Sequence, residues 1–335
     1  MDFAIIQQFF RYMMRDKDIL YVLCPGGIGD FLINGGLCHA LLKKKHKKTC
    51  VLILKDIYVK NSGQINFVGV TEFMYISNTL RNIICQYVYA SRDYETDNYI
   101  YGHFHMKERV ENWNGGFIWN ENLSFVDRYK ENVFGLPLDT ELIPPIIPSP
   151  ADLQKQRLHE AYVLEKERTI IIMPYTSGGS PFPESFWVKL VQSLKQKNKD
   201  YVIYTNVASP QEKVIPGTAP IVTTFPELIY LAEKVNCFIG MRSGIFDLLA
   251  FTNAKLLYII NSPQLWLYDL KLNFNHTNGR AFYLLSVEEQ ESLKPFMQRN
   301  NLTSLDNLIF NENVLGKDVA LNADSLIKKI LSSVD

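Results

Sequence analysis

Between residues 169 and 260 the chain alternates short, wholly apolar runs with stretches whose apolar positions recur every three or four residues. Residues 169–173 (Thr-Ile-Ile-Ile-Met) form a short apolar run rich in β-branched residues, the signature of a strand covered on both faces. The run leads into Pro174 and a small polar turn, Tyr175-Thr176-Ser177-Gly178-Gly179. Residues 184–195 follow, with Phe186, Trp187, Leu190, Val191 and Leu194 on one helical face. Residues 201–204 and 237–240 read as further buried strands, 244–251 as an apolar helix and 256–260 as another strand. A second polar turn, Arg242-Ser243-Gly244, lies between strand and helix. Alternating strands and helices predict a parallel sheet. Ligands of such sheets sit beyond the carboxyl ends of the strands, where both turns fall.

The front of the chain shows the same plan. Residues 2–15 predict a helix with Phe3, Ile6, Phe9, Phe10 and Met13 on one face, suited to packing on a neighbouring domain or to a membrane surface or partner. Residues 19–24 predict a strand; Pro25-Gly26-Gly27-Ile28-Gly29-Asp30 is a glycine turn, and a helix runs from 31 to 45. This is how a Rossmann-like domain opens, but the glycines lack the dinucleotide spacing G-x-G-x-x-G. Gly27 and Gly29 allow a ligand close to the backbone. Asp30 at the helix start has two readings, a helix cap and a base able to take a proton from a sugar hydroxyl. Residues 49–54 predict the second strand. Lys43, Lys44, Lys45, His46, Lys47 and Lys48 form a basic run that suits the helix dipole; its other reading is a landing patch for an anionic lipid surface or an acidic acceptor.

From 55 to 145 the periodicity loosens and aromatic residues crowd in: Tyr87, Tyr89, Tyr94, Tyr99, Tyr101, Phe104, Trp113, Phe117 and Trp119. They suit either a core or a carbohydrate-facing cleft. His103 and His105 alternate in an expected strand on the acceptor side; without further ligands nearby they predict no metal site. Glu108, Glu111, Asp127 and Arg128 have no diagnostic spacing. The proline-dense residues 142–150 predict an interdomain connection, giving domains 1–148 and 149–335. Residues 151–164 predict a helix opening the second domain. Helices are expected at 287–297 and 322–334, the last free to pack back on the first domain, and residues 263–268 are expected to rim a cleft.

The bulk numbers fit this picture. A chain of 335 residues with 47% hydrophobic and 21% charged residues makes one large or two medium globular domains. Basic and acidic residues balance at 35 each, so nucleic acid is not an expected partner. Cys24, Cys38, Cys50, Cys85 and Cys237 lack zinc spacing and read as reduced, buried thiols. No spanning run or secretory leader is evident, so the expected location is cytoplasmic, with a peripheral position at the inner face of the membrane through the Lys43 to Lys48 run.

Three places resemble the heptosyltransferase-like glycosyltransferases, which extend bacterial lipopolysaccharide and have the GT-B architecture of two Rossmann-like domains facing a cleft. The first is Gly29-Asp30-Phe31-Leu32 with its helix. The second is Met173-Pro174-Tyr175-Thr176-Ser177-Gly178 followed by Phe182-Pro183-Glu184-Ser185-Phe186-Trp187. The third is Phe225-Pro226-Glu227-Leu228 with Ala232-Glu233, Cys237-Phe238-Ile239-Gly240 and Ser243-Gly244. Arg242 stands where that family usually has Asp, and Asp247 where it has His; an arginine can meet a diphosphate in a bidentate way. The resemblance implies a metal-independent, inverting transfer of a sugar from a nucleotide-diphosphate donor, a co-substrate rather than a cofactor, to a glycan or glycolipid acceptor. It makes Asp30 the catalytic base and Tyr175, Thr176, Ser177, Gly178, Gly179, Lys189, Leu228, Arg242, Ser243, Gly244 and Asp247 the donor side. Three other readings stay open: a nucleotide-sugar epimerase of the same architecture, a non-catalytic glycan- or nucleotide-binding protein of the same fold, and a different GT-B transferase, such as a fucosyltransferase-like or capsule enzyme, to which Arg242 before Ser243-Gly244 points.

Overall fold

The computed structural model describes residues 3–13, 15–55, 65–91, 94–103, 125–175, 182–207, 212–241, 243–260, 279–283, 308–309 and 319–334. The chain divides into two compact units, Met1–Pro148 and Ser149–Asp335, and the boundary falls inside the proline-dense segment.

In the first unit, β1 (Ile19–Leu23) and β2 (Thr49–Lys55) flank α2 (Ile28–Lys45), after the amphipathic α1 (Phe3–Met13). They are followed by β3 (Val70–Ile76), α3 (Asn78–Ser91) and β4 (Tyr99–Tyr101). The strands form a parallel sheet in the order β3-β2-β1-β4. β1 and β2 bury nearly all their side chains, as strands packed between helix layers must. Met13 of α1, Ile84 and Val88 of α3, and Tyr99 and Tyr101 of β4 share one core cluster, with Tyr87 and Tyr94 packed against it. These four tyrosines are therefore core residues. The side chain of Tyr89, and Phe104, Trp113, Phe117 and Trp119 altogether, lie outside what the structure describes.

The unit closes with α4 (Phe125–Arg128), which runs directly into a π-helical turn, Tyr129–Val133. The extra residue in that turn lets the Phe134 N–H reach the Tyr129 carbonyl at 2.9 Å and buries Tyr129 and Lys130.

The second unit runs α5 (Asp152–Ala161), β5 (Thr169–Met173), α6 (Glu184–Lys197), β6 (Val202–Asn206), β7 (Ala219–Ile221), α7 (Phe225–Leu231), β8 (Cys237–Met241), α8 (Gly244–Leu249) and β9 (Leu256–Ile260). It ends with β10 (Gly279–Tyr283), β11 (Leu308–Ile309) and α9 (Val319–Val334). Its parallel sheet has the order β11-β10-β9-β8-β5-β6-β7. Counted from β5, this is the doubly wound order, in which the strand sequence reverses between the first and fourth strands. The first sheet reverses at the equivalent place, between β1 and β4.

The terminal helix α9 packs on α6 in the core of the second unit. Ala323, Leu326, Ile327, Ile330 and Val334 join Trp187, Leu190 and Leu194 there. Lys197 and Lys255 hold the end of α9 through the carbonyls of Leu331 and Val334 at 2.6 and 2.8 Å. The helix expected at 287–297 and the aromatic segment 263–268 fall outside the described residues.

Candidate functional site

The reversal point of the first sheet holds Asp30. The helix begins three residues earlier than its apolar periodicity suggests, so Gly27 is the N-cap and Asp30 is the third helical residue. Its role as a cap is accordingly a backward bond. Asp30 Oδ2 accepts the Gly27 N–H at 2.6 Å, one half of a capping box. Oδ1 accepts the hydroxyl of Tyr129 from the π turn. The carboxylate rests against the bare Cα of Gly26, where a Cβ would lie 2.0 Å from Oδ2. Gly26, rather than Gly27 or Gly29, is thus the glycine that makes room for the carboxylate. Gly27 has only ordinary contact distance there, 3.8 Å, and Gly29 is buried in the first turn of α2.

One helical turn on, Asn34 is wholly buried. Its Nδ2 donates to the Asp30 carbonyl at 2.6 Å and to the Gly102 carbonyl at 3.1 Å. This ties the first turn of α2 to the residue just past β4. Gly102 in turn donates its N–H to the Leu23 carbonyl at 2.8 Å, so the ends of β1 and β4 and the helix start are fastened together. His103 follows, half-buried, with its ring 6.4 Å from Tyr101. His105 lies outside the described residues.

Two cations border the glycine turn. Arg81 of α3 donates through Nε to the Pro25 carbonyl at 3.0 Å. Lys55 ends β2; burial lowers its pKa, and the Arg81 charge lowers it further. Tyr129 is pushed the other way. Burial, then the Asp30 charge and the hydrogen bond to it, hold its phenol well above the usual range, so it remains a donor.

Gly26 was visible as part of the glycine turn, though not as the glycine that matters, and Asn34 had an available signal in its place four residues after Asp30 on the same helix. Tyr129, Gly102, Arg81 and Lys55 carried no local signal that singled them out.

At the reversal point of the second sheet, Met173 pairs with Gly240, bringing the ends of β5 and β8 side by side. Tyr175 leaves β5 and its hydroxyl donates to the Lys213 carbonyl. Thr176, Ser177, Gly178, Gly179 and Arg242 lie outside the described residues. Ser243 is the N-cap of α8 in extended conformation, and its hydroxyl makes no capping bond to the helix. Gly244 opens α8, and Asp247 is buried on it.

Lys189 on α6 pairs with Asp324 of α9 at 2.5 Å, so its ammonium ties two helices. Leu228 is buried on α7. Beside it Glu227 closes a capping box on Thr224 and pairs with Arg157 of α5 at 2.7 Å.

The basic run at the end of α2 is largely occupied by its own chain. His46 adopts the left-handed conformation that ends the helix, with φ 53°. Lys44 reaches the Phe134 carbonyl at 2.6 Å, Lys45 pairs with Glu95 at 2.6 Å, Lys47 bonds the Lys17 carbonyl at 2.7 Å, and Lys48 pairs with Asp18 at 2.6 Å. Among the described residues no group of three or more His, Cys, Asp or Glu could hold a metal ion, and no helix is long and apolar enough to cross a membrane.

No family model matches the sequence, and no curated protein matches it. Solved structures do. The ADP-heptose lps heptosyltransferase II of E. coli superposes with a TM-score of 0.52 at 13% identity, over 85% of this chain and 99% of that one. A glycosyl transferase family 9 structure from Veillonella parvula DSM 2008 superposes with a TM-score of 0.54 at 12% identity, over 95% of this chain and 98% of that one. The coverage is nearly complete for both neighbours, so the likeness extends over both parallel α/β units. The chain has the GT-B fold seen in the heptosyltransferases.

Proposed function

We propose that the protein is a glycosyltransferase that moves a sugar from a nucleotide-diphosphate donor to a glycan or glycolipid acceptor. Asp30 takes the proton from the acceptor hydroxyl, whose oxygen attacks the anomeric carbon. The bond from that carbon to the diphosphate breaks, the nucleoside diphosphate leaves with the electron pair, and the anomeric configuration inverts. No step passes through a metal.

The observation that carries this reading is the Asp30 carboxylate. It stands at the reversal point of the first sheet, half-exposed, aimed by Gly27 and Tyr129, in a fold whose solved examples transfer sugars. A carboxylate offers about four acceptor sites, so two bonds leave capacity for a reacting hydroxyl. On the donor side, charge develops on the leaving diphosphate and must be met by fixed donors. The Thr176 to Gly179 amides, the Arg242 guanidinium and the Ser243 hydroxyl are the groups assigned to that task. Tyr175, Gly244 and Asp247 border them in sequence. Lys189, engaged with Asp324, would reach the donor only by leaving that pair.

The E. coli neighbour is a heptosyltransferase of ADP-heptose, so an ADP-linked sugar is the first donor to try. Thermal-shift titration with ADP-, UDP-, GDP-, CMP- and dTDP-linked sugars identifies the nucleotide. Asp30→Asn then abolishes transfer while nucleotide binding stays nearly intact. Transfer that survives this substitution removes Asp30 from its role. A change in the sugar with donor alone, and no acceptor, replaces the proposal with an epimerase.

A further inference from the structure

We propose that Tyr129 is the positioning residue of Asp30, with the π turn Tyr129–Val133 as the device that delivers it. The inference rests on the reading of Asp30 as the base, and adds to it a residue 99 positions away in sequence.

The Asp30 side chain has two torsions to fix. The Gly27 N–H holds Oδ2 at 2.6 Å from the side of the glycine turn. One such bond leaves the carboxylate able to swing; the Tyr129 hydroxyl, holding Oδ1, removes that freedom. Gly26, with no side chain, closes the remaining side at contact distance. The carboxylate is left with one orientation and with unused lone pairs on both oxygens.

A buried tyrosine needs some partner for its hydroxyl, and that alone explains nothing about catalysis. The backbone argues for more. A π turn is rare, and such turns are frequent at functional sites. Here it begins at the residue that bonds Asp30, directly after α4, with no α-helix beyond it. Two features anchor it. The Leu136 N–H bonds the Lys130 carbonyl at 2.6 Å, and the buried Lys130 ammonium holds Asp127 at 2.9 Å and the Leu138 carbonyl at 2.8 Å. The Tyr129 ring packs on Phe134, centroids 5.9 Å apart, so the ring is held even without its hydroxyl. Tyr129→Phe therefore keeps the packing and deletes only the bond to the carboxylate.

The test uses the full chain in three forms: wild type, Tyr129→Phe and Asp30→Asn. With 13C-labelled tyrosine, the phenol proton of Tyr129 gives a downfield, slowly exchanging resonance in the wild type, because its acceptor is a carboxylate. Asp30→Asn makes that bond neutral and moves the resonance upfield. A resonance that ignores Asp30→Asn overturns the proposal.

In steady-state transfer, with the donor and acceptor found by screening, Tyr129→Phe lowers kcat by roughly 10- to 100-fold and leaves the donor KM unchanged, the expected result of a base held about an ångström out of place. Thermal melting confirms that the variant is folded. Unchanged kcat in a folded variant also overturns the proposal. If the wild type transfers no sugar while the resonance responds to Asp30→Asn, the contact stands and the assignment of Asp30 as base falls.

Discussion

Asn34 and Gly102 fit each other so closely that a Cβ on Gly102 would lie 1.8 Å from Asn34 Oδ1. Asn34 uses its amide N–H groups to bridge the Asp30 and Gly102 carbonyls, so the pair sets the distance between the start of α2 and the end of β4. Gly102→Ala forces the two apart and costs about 2–3 kcal/mol by over-packing. Asn34→Ala removes the obstacle and costs about 1–3 kcal/mol through the two unpaired carbonyls. Because the residues touch, the costs do not add. In the Asn34→Ala background, Gly102→Ala is expected to cost at least about 1 kcal/mol less. Urea unfolding of the four proteins measures this directly, and additive costs would show that Gly102 is bare for another reason.

Gly26 and Gly27 make a sharper comparison, because only one of them crowds the carboxylate. A Cβ on Gly26 meets Asp30 Oδ2 at 2.0 Å, Cγ at 2.3 Å and Cβ at 2.8 Å, so the whole side chain must give way. Turning it away breaks the bonds from the Gly27 N–H and the buried Tyr129 hydroxyl, so Gly26→Ala is expected to lower stability by about 1–3 kcal/mol. The base has also left its position, and transfer falls about 100-fold. A Cβ on Gly27 stands 3.8 Å from the same oxygen, an ordinary contact, so Gly27→Ala loses less activity. Melting curves and kcat for both variants check the ordering, and equal losses would remove Gly26 from this role.

The two sheets were legible because their central strands are short apolar runs: 19–24, 49–54, 169–173, 201–204, 237–240 and 256–260 all coincide with strands within a residue or two. The strands that escaped are of a different kind. β3 (VTEFMYI) carries Thr71 and Glu72 exposed at an edge, so its pattern is neither a run nor a clean alternation. β7 is three residues with Pro220 in the middle, tolerated because it too is an edge. The three-residue β4 is too short to show a period. In the site, Asp30 stood out because a glycine turn before a helix is a local pattern. Tyr129 did not, since it reaches Asp30 only through the fold, as Gly102 reaches Asn34, and a π turn has no sequence signature of its own. The helix start shows a subtler limit. Glycines at 26, 27 and 29 masked the first turn, and Asp30 sits inside the helix rather than at its edge.

The cysteines yield a prediction of inertness. All five are buried. Burial, then the Asp30 charge, pushes the Cys24 thiol well up. Burial does the same to Cys38, whose Sγ lies 3.3 Å from Cys50 Sγ on β2. Burial pushes Cys237 up to about 12. Thiol reagents attack thiolates, so native protein at pH 8 is expected to react with none of these on the timescale of minutes, and unfolded protein with all five. A fast-reacting thiol in the folded protein, located by mass spectrometry, would contradict the burial described here.

Glu227 gives the fold a pH dependence whose sign is fixed by its partners. The carboxyl is 3% exposed, and burial pushes its pKa up. That push is outweighed by the Thr224 N–H at 2.8 Å, the Arg157 guanidinium at 2.7 Å and the Thr224 hydroxyl at 3.0 Å, so the net shift is downward. A carboxyl whose folded value lies below its unfolded one stabilises the protein above the unfolded value, about 4.3 for glutamate, and that stabilisation disappears as pH falls through the folded value. Glu227→Gln keeps a side chain able to close the capping box but removes the charge. It is expected to cost about 1–2 kcal/mol at neutral pH, less than a fully buried pair would, because Arg157 is 48% exposed and solvent screens it. Urea unfolding of wild type and Glu227→Gln at pH 7, 5 and 3 follows the gap, which stays open at pH 7 and 5 and narrows toward pH 3. Added salt at pH 7 removes only the Arg157 share, since the Thr224 bonds are short-ranged and survive screening. A gap as wide at pH 3 as at pH 7 would mean that the shape of the glutamate, and not its charge, holds the start of α7.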